Sequence, residues 1–387
     1  MKTFVASRFS EGNHFFPLEI NLNDSEIEII SPNLIKNEVI KIDYKQVKSF
    51  KKIKKEEYYG LELKVNDVFL TKSSYTGFSK EDNDALFLGI RLKLNEIKNA
   101  KKQELKKVSK EFNALQGLEE LKQLVNNQII LSNYYENIDN KEEMSNHFVF
   151  FGNPGTGKTS VARLIGKMYY HHGMLQTDNF IECSRVDLVG QYIGQTAIKT
   201  QELLDQALGG ILFIDEAYSL VSGGEKDFGL EAINTILKFM EDYRARICII
   251  VAGYPDLMKS FIRSNPGLKS RFSHFIEFKD FNALELLEIT NSFLKNKKIN
   301  ISKAIKEKLQ NHFANLLINE KENFGNGRVA RNIAEKIIAN YDLRIANEYS
   351  KTKKMPKTRV LVLQDLNFLN ILAFENKKSR TIVGYKK

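Results

Sequence analysis

The amino-acid sequence predicts an α/β protein in which helices cover a parallel sheet, preceded by a smaller β-rich domain. Three observations support this prediction. Residues 147–170 consist of an apolar strand, a glycine-rich turn and an amphipathic helix. Further apolar, strand-like segments alternate with helical ones as far as about residue 282. The first 100 residues instead alternate apolar and polar positions, as antiparallel strands joined by short turns do.

Residues 1–110 are expected to form one domain. TFVASRF, LEINLNDSEIEIIS, EVIKIDYKQVKSFKKI, YYGLELKVND and VFLTKS are strand-like, and residues 79–107 are typical of one long amphipathic helix. This order of elements, with the stretch Y-x-x-V-K-S, resembles a pleckstrin-homology-type barrel. Because the domain contains no catalytic constellation, we expect a docking module that recruits a protein partner.

The stretch GNPGTGKT (152–159) fits the pattern G-x-x-x-x-G-K-[ST] in full. Glycines let successive backbone N–H groups face a phosphate, the following helix N-terminus adds partial positive charge, and the lysine reaches the β- and γ-phosphates of ATP. The alternative is a glycine-rich turn with a chance lysine, and the strand–turn–helix order argues against it. We predict that ATP contacts Gly152, Asn153, Pro154, Gly155, Thr156, Gly157, Lys158, Thr159 and Ser160.

A second apolar strand ends in two acids, in GGILFIDEAYSL (209–220). Acids at the carboxyl end of a parallel strand face the ligand crevice. We expect Asp215 and the Thr159 hydroxyl to hold Mg²⁺, and Glu216 to polarise the attacking water. The sequence therefore predicts ATP hydrolysis with ATP and Mg²⁺ as cofactors.

Two further strands, NFIECSR (179–185) and ARICIIVAGY (245–254), complete the predicted sheet. They contain Cys183 and Cys248, which look like small buried hydrophobes. From about residue 283 the apolar spacing becomes helical and indicates a lid, with a C-terminal extension to residue 387. Residues 359–374 suggest a short strand and then a helix capped near Asp365.

Taken together, FGNPGTGKTSVARLIGKMYY, VDLVGQYIGQTAIKT, GGILFIDEAYSL, DFGLEAINTILKFMED, IIVAGYPDLM and NPGLKSRF resemble the CbxX/CfqX group of AAA+ ATPases. The resemblance covers about residues 111–345. It implies an AAA+ P-loop core at 111–282 and a helical lid from 283. It also implies that LQGLEELK (115–122), with Gly117 and Leu118, packs on the adenine.

The resemblance assigns further residues. Arg271 in NPGLKSRF matches the arginine finger that acts on a neighbouring subunit's nucleotide; the alternative is a surface arginine beside a turn. Arg328 in GNGRVARNIAE matches the lid arginine called sensor 2, with Arg331 one helical turn on as the alternative. The position called sensor 1 is usually Asn or Thr in AAA+ proteins, and here Tyr254 or a backbone group would have to serve.

Tyr192, Ile193 and Gly194 form an aromatic–aliphatic–glycine triplet after the second strand. In rings of the resembled family the matching loop faces the central pore and grips a polypeptide. A tyrosine offers a large contact at low rotamer cost, and the flanking glycines let the loop move. The alternative is a surface loop whose tyrosine simply packs.

Composition limits the remaining choices. The net charge is +10 and lies in lysine runs, which either contact nucleic acid or form solvated faces; no DNA-binding motif accompanies them. Since no apolar run approaches a membrane span and two cysteines are few, we expect a cytoplasmic protein with no transmembrane segment. The leading expectation is a hexameric, homo-oligomeric ring that remodels a partner protein. The alternatives are an ATP-switched scaffold and a DNA-acting AAA+ protein.

Overall fold

The computed structural model describes residues 2–9, 15–22, 26–32, 37–44, 47–55, 58–65, 68–69, 76–77, 80–115, 117–136, 145–192, 194–223, 227–319, 324–354 and 359–369. The chain divides into two compact units, Met1–Lys107 and Val108–Lys387.

The first unit is β-rich, as predicted. One antiparallel sheet has the order β4-β3-β2-β1-β8 and a second has the order β5-β6-β7. The strands are β1 (Lys2–Phe9), β2 (Phe15–Leu22), β3 (Glu26–Pro32), β4 (Asn37–Asp43), β5 (Val47–Lys55), β6 (Tyr58–Val65), β7 (Val68–Phe69) and β8 (Thr76–Gly77). The long helix α1 (Lys80–Asn113) follows them, and its Leu86 and Ile90 are buried in one cluster with Ile27 and Ile42. The likeness to a pleckstrin-homology barrel stays a prediction.

The second unit is built on a five-stranded parallel sheet of order β10-β11-β12-β9-β13. Its strands are β9 (Phe148–Gly152), β10 (Phe180–Cys183), β11 (Ile211–Ile214), β12 (Cys248–Gly253) and β13 (His274–Phe278). Strand β11 separates the strands that contain Cys183 and Cys248, as the AAA+ strand order predicts, and both thiols are free and buried.

Helices cover both faces of this sheet. Leu212 and Ile214 of β11 belong to one buried cluster, and Ile211 and Phe213 belong to the other, so this central strand is apolar on both sides. The helices of this layer are α2 (Glu119–Glu136), α3 (Lys158–His171), α4 (Arg185–Leu188), α5 (Gln195–Ala207), α6 (Gly229–Asp242), α7 (Pro255–Arg263) and α8 (Pro266–Arg271). A 3₁₀ turn, Ala217–Val221, follows β11.

The lid consists of α9 (Ala283–Asn296), α10 (Lys303–Asn319) and α11 (Gly327–Thr352), which share a buried apolar cluster. Downstream, a short strand and then a helix capped near Asp365 were expected over residues 359–374. The strand is wrong among the described residues, since Val360 forms only an isolated bridge with Asn300, and Asp365 lies in a 3₁₀ turn, Leu363–Leu366. The buried Asp365 carboxylate accepts hydrogen bonds from the Val362 N–H and from Arg344, a lid residue. Phe368 and Leu369 are helical, and the rest of the predicted helix lies outside the described residues. Within the described part of the chain, no helix is long and apolar enough to cross a membrane.

Candidate nucleotide site

The glycine-rich turn joins β9 to α3 with a tightly curled backbone. Gly155 and Gly157 have φ of 75° and 94°, the left-handed region that glycine adopts at little cost. A Cβ at Gly155 would lie 2.2 Å from the Gly325 carbonyl oxygen, so the lid backbone approaches the turn closely. Thr156 is buried, and its hydroxyl donates to the Asn153 carbonyl at 2.8 Å. These contacts fix a loop whose N–H groups can surround phosphate oxygens.

Lys158 is the first residue of α3, and its ammonium group lies over this turn. Its Nζ donates to the carbonyl oxygens of Gly152 and Asn153 at 2.8 and 2.9 Å. Partial burial lowers the pKa of Lys158, while the nearby Asp215 carboxylate opposes that shift. A half-buried ammonium between a phosphate-binding loop and a carboxylate suits the binding of a polyphosphate.

Asp215 and Glu216 follow the fully buried strand β11 and reach the same place. The backbone N–H of Glu216 donates to the Asp215 carboxylate at 3.0 Å, and Glu216 has a left-handed φ of 49°. The chain then enters the 3₁₀ turn Ala217–Val221. This sharp change of direction leaves both acids on the wall of one cavity, with Thr159.

That cavity has a volume of about 670 Å³, within the usual range for a small-ligand site. Core and lid both contribute to its wall. Gly117, whose φ is 68°, and Leu118 lie on the wall, and Ile289 and Phe293 of α9 add apolar surface to it. The remaining predicted residues on the wall are Gly152, Pro154, Gly155, Thr156, Gly157, Lys158, Thr159, Ser160, Asp215, Glu216, Tyr254, Arg328 and Arg331. Most of the predicted nucleotide contacts are therefore brought together.

Asn153 is the exception among the residues of the turn. Its side-chain amide donates to both carboxylate oxygens of Asp280, at 3.0 and 2.9 Å. Asp280 also accepts from the amide of Asn326, just before α11, at 2.8 Å. Reasoning from sequence missed Asp280 and Asn326, although Asn326 stands in the quoted stretch GNGRVARNIAE beside Arg328. No local pattern marks either residue as part of the site.

The donor set also fits Mg²⁺. A hydroxyl from Thr159 and a carboxylate from Asp215 are oxygen ligands of the kind that Mg²⁺ prefers, and Mg²⁺ usually needs few protein ligands beside phosphates and water. In agreement, the described residues contain no group of three or more His, Cys, Asp or Glu side chains that could hold a metal by themselves.

Arg271 lies at the end of α8, and the described cavity wall does not include it. Its Nη2 is 3.4 Å from the Glu241 carboxylate. Its Nε is buried and has no acceptor among the described residues. The Arg271 side chain is 30% exposed, so part of the guanidinium can be contacted from outside its own chain, although Nε itself is buried.

The Tyr192 loop, residues 189–194, lies between α4 and α5; Ile193 is outside the described residues. Tyr192 is 68% exposed, and Gly194 has a left-handed φ of 82°. The N-terminal turns of α5 hold the base of the loop. Lys199 Nζ donates to the carbonyls of Val186 and Val189, and the Gly190 N–H donates to Thr196 Oγ1 at 3.0 Å. Tyr192 is thus presented outward on an anchored loop.

Comparisons with known proteins agree with this geometry. The model of the ATPase family associated with various cellular activities (AAA) matches residues 148–280, and the AAA lid domain model matches residues 282–377. The chain is 42% identical over 260 residues to stage V sporulation protein K of Bacillus subtilis, covering 65% of this chain and 80% of that protein.

Two other relatives are matched over shorter shares of their own length. Protein CbbX of Cereibacter sphaeroides is 41% identical over 191 residues, 49% of this chain and 61% of that protein. The ESX-3 secretion system protein EccA3 of Mycobacterium leprae is 41% identical over 206 residues, 50% of this chain and 32% of that protein. With its P-loop, acid pair, parallel sheet and helical lid, the chain belongs to the CbxX/CfqX-type group of AAA+ ATPases and is a nucleotide-binding, ATP-hydrolysing enzyme.

Proposed function

We propose that the chain couples ATP hydrolysis to the remodelling of a partner protein, as a hexameric ring whose Tyr192 loops line a central pore. The observation that carries the proposal is the Tyr192 loop. A large aromatic side chain stands 68% exposed on a loop whose base is held by α5. An exposed tyrosine on an anchored loop serves contact with another molecule better than packing within its own chain.

In the proposed hydrolysis, Lys158 binds the β- and γ-phosphates and the N–H groups of the turn hold their oxygens. Thr159 and Asp215 would hold Mg²⁺, which would supply positive charge beside the phosphates. Glu216 accepts the proton of the attacking water. Arg328, with Arg331 as the alternative, supports the phosphates from the lid side, and Tyr254 stands where sensor 1 is expected.

Arg271 is proposed to complete the site of a neighbouring subunit. Its absence from the described wall of its own cavity and the partial exposure of its side chain support this role. An arginine in that position stabilises transition-state charge, which requires subunits to assemble side by side. Assembly into a homo-oligomer follows from that requirement, and a hexamer is what the resemblance to AAA+ rings implies.

A mechanical path from the nucleotide site to the Tyr192 loop also supports the proposal. Arg185, at the start of α4, donates to the Ser219 carbonyl at 2.7 Å and is paired with Asp227. Ser219 lies in the 3₁₀ turn that directly follows Glu216. In this proposal a displacement at Glu216 reaches, through these contacts, the helix from which the Tyr192 loop emerges.

We further propose that residues 1–110 are a docking module that selects the partner, that residues 111–282 are the ATPase core, and that residues 283–387 are the lid and C-terminal extension. The partner is a protein in this proposal. If DNA instead stimulated ATP hydrolysis with a steep dependence on salt, a DNA-acting role would replace it.

The test uses Tyr192→Ala. A Glu216→Gln variant, which we expect to bind ATP without turnover, first captures the partner. Tyr192→Ala should then keep ATP binding, assembly and basal hydrolysis, because Tyr192 is not among the described cavity residues, while partner-stimulated hydrolysis and remodelling are lost. Truncating a buried aromatic contact commonly costs about 2 kcal/mol or more.

Tyr134→Ala is the matched control, since Tyr134 is 58% exposed on α2. It should behave as the wild type does. If Tyr192→Ala remodels the partner as well as the wild type, threading through a pore is refuted and an ATP-switched scaffold becomes the better account.

A further inference from the structure

The lid meets the P-loop at a second point besides its covalent connection to the core. The covalent connection runs through residues 279–282, between β13 and α9. The second point is Asn326–Gly327, at the start of α11. There the Gly327 N–H donates to the Gly155 carbonyl at 2.9 Å, and a Cβ on Gly327 would lie 2.7 Å from that oxygen. The lid backbone therefore rests directly on the phosphate-binding turn.

Asn326 joins this contact to the covalent connection. Its side chain is fully buried. The Oδ1 atom accepts from the Phe281 N–H at 3.0 Å, and Nδ2 donates to the Asp280 carboxylate at 2.8 Å. The same Nδ2 is 3.1 Å from the Phe324 carbonyl and 3.4 Å from the Pro154 carbonyl. One side chain thus contacts the hinge, the lid and the P-loop.

Asp280 extends the link to the other side of the turn. Its two carboxylate oxygens accept from Asn153 Nδ2, and one of them also accepts from Asn326. Hydrogen bonds to a charged acceptor are the stronger kind. Asn153 and Asn326 are therefore held to a single carboxylate that lines the nucleotide cavity.

The backbone of Asn326 has a conformation that glycine adopts more easily than asparagine. It has φ 49° and ψ −124°, a conformation that favours glycine and is strained for asparagine. Glycines stand on both sides of it, at 325 and 327. A glycine would suit the backbone of position 326 better, so what the asparagine contributes is its set of hydrogen bonds.

We propose that Asn326 and Asp280 are positioning residues that latch the lid to the P-loop, so that the turn and Arg328 move as one unit. Arg328 follows Asn326 by two residues and lines the cavity. A change of the P-loop conformation on phosphate binding or release then moves Arg328. Conversely, rotation of the lid changes how tightly the P-loop binds the nucleotide. The inference rests on ATPase activity and on the role proposed above for Arg328.

The test is Asn326→Gly in the full chain. Glycine relieves the backbone strain, but it leaves the Phe281 N–H and the Asp280 carboxylate without this partner and loosens the unfolded chain, so the melting temperature should fall. Release of a fluorescent ADP analogue, measured well below the melting temperature of the variant, should become about tenfold faster, a typical size for coupling between two parts of a protein. A purely structural asparagine would lower the melting temperature and leave ADP release from the folded protein unchanged.

Asn340→Ala is the matched control. Asn340 lies on the same helix α11, and its amide donates to the Asp365 carbonyl at 3.2 Å, entirely within the lid. Asn340→Ala should lower the melting temperature and leave the rate of ADP release equal to that of the wild type. An Asn326→Gly variant that is folded at the assay temperature and releases ADP within about twofold of the wild-type rate, well below the usual coupling range, would overturn the latch.

If Asn326→Gly does not fold, a double-mutant cycle of Asn153→Ala and Asp280→Ala tests the latch instead, with ADP release as the measurement. The side chain of Asn153 is exposed, so its truncation should disturb the fold little. If Asp280 acts through Asn153, the double variant releases ADP no faster than Asp280→Ala alone; independent effects would contradict the latch. Arg328→Ala distinguishes the sensor role of Arg328 from the latch. Unchanged ATP hydrolysis in Arg328→Ala would refute the sensor role. The rate of ADP release in the Asn326, Asn153 and Asp280 variants tests the latch alone.

Discussion

His147 shows how a single buried residue constrains this protein. It directly precedes β9, is 1% exposed, and its Nδ1 accepts from the Ile249 N–H at 3.1 Å. That bond requires a neutral ring with its proton on Nε2. Burial, with repulsion from His274 and Arg244, lowers the pKa of His147 from 6.5 to about 3. The histidine therefore serves the sheet as an uncharged acceptor.

This shift predicts a loss of stability in mild acid. Between pH 6.5 and about 3 the unfolded chain binds a proton at His147 and the folded chain does not. The free energy of unfolding should therefore fall with decreasing pH across that window, by up to ~1.4 kcal/mol per pH unit from this residue. Denaturant unfolding at pH 7, 6 and 5 measures the slope. His147→Asn, whose Oδ1 can replace Nδ1 as the acceptor, should show a shallower slope. An equal slope in both proteins would assign the acid sensitivity to other groups.

At the scale of elements, one ion pair joins three segments around the Tyr192 loop. Arg185 begins α4, Asp227 lies two residues before α6, and Arg185 also donates to the Ser219 carbonyl in the 3₁₀ turn. The Asp227 side chain is only 8% exposed, and its hydrogen bond with Arg185 lowers its pKa. The junction lacks space as well, since a Cβ on Gly229 would lie 2.0 Å from the Leu220 carbonyl oxygen.

Arg185→Ala should therefore destabilise this junction. The substitution leaves the nearly buried Asp227 carboxylate without its cation, and a loss of about 2 kcal/mol in the free energy of unfolding is expected. Arg331→Ala is the control. Its pair with Glu335 is 63% and 57% exposed, so its loss should cost less than about 1 kcal/mol. Urea unfolding of both variants at pH 7 compares them, and equal costs would show that the junction does not depend on the pair.

At the scale of the whole molecule, the role of Arg271 decides whether one subunit can hydrolyse ATP alone or needs a neighbouring subunit. Its guanidinium contacts Glu241 at 3.4 Å and keeps a buried Nε without an acceptor in the described structure. Its side chain is 30% exposed, so the nucleotide site of a neighbouring subunit can reach the exposed part of the guanidinium. The ring proposed above supplies such a site.

Mixing two inactive variants tests this arrangement. Arg271→Ala lacks the finger, and Lys158→Ala lacks tight phosphate binding, so each alone should have little activity. A mixture that exchanges subunits contains some sites with an intact turn and an intact neighbouring finger, and ATPase activity should partly return. Subunit exchange is checked by fluorescence transfer between labelled chains. Exchanged mixtures that stay inactive at every ratio would show that Arg271 does not act in trans.

The sequence alone determined the parts of this protein that are encoded locally. Three features are encoded in short continuous segments: the turn around Lys158, the acids after β11 and the alternation of strands with helices. Each depends on glycine positions or on the spacing of apolar residues, and both can be read within a few residues. The order of β11 between the cysteine-bearing strands also followed, since it comes with the resembled fold. The β-rich character of residues 1–100 followed in the same way, from period-two alternation.

Only the tertiary structure decided which polar groups meet. Asn153 and Asp280 are 127 residues apart in sequence, and Asp280 and Asn326 are 46 apart. The sequence suggested that Asp365 caps a helix, but it did not show that its carboxylate also pairs with Arg344 in the lid. The hydrogen-bond partner of a buried group depends on which distant segments pack beside it, and the spacing of residues within one segment does not show this. For that reason the chemistry of the nucleotide site was visible in the sequence, whereas its connection to the lid was not.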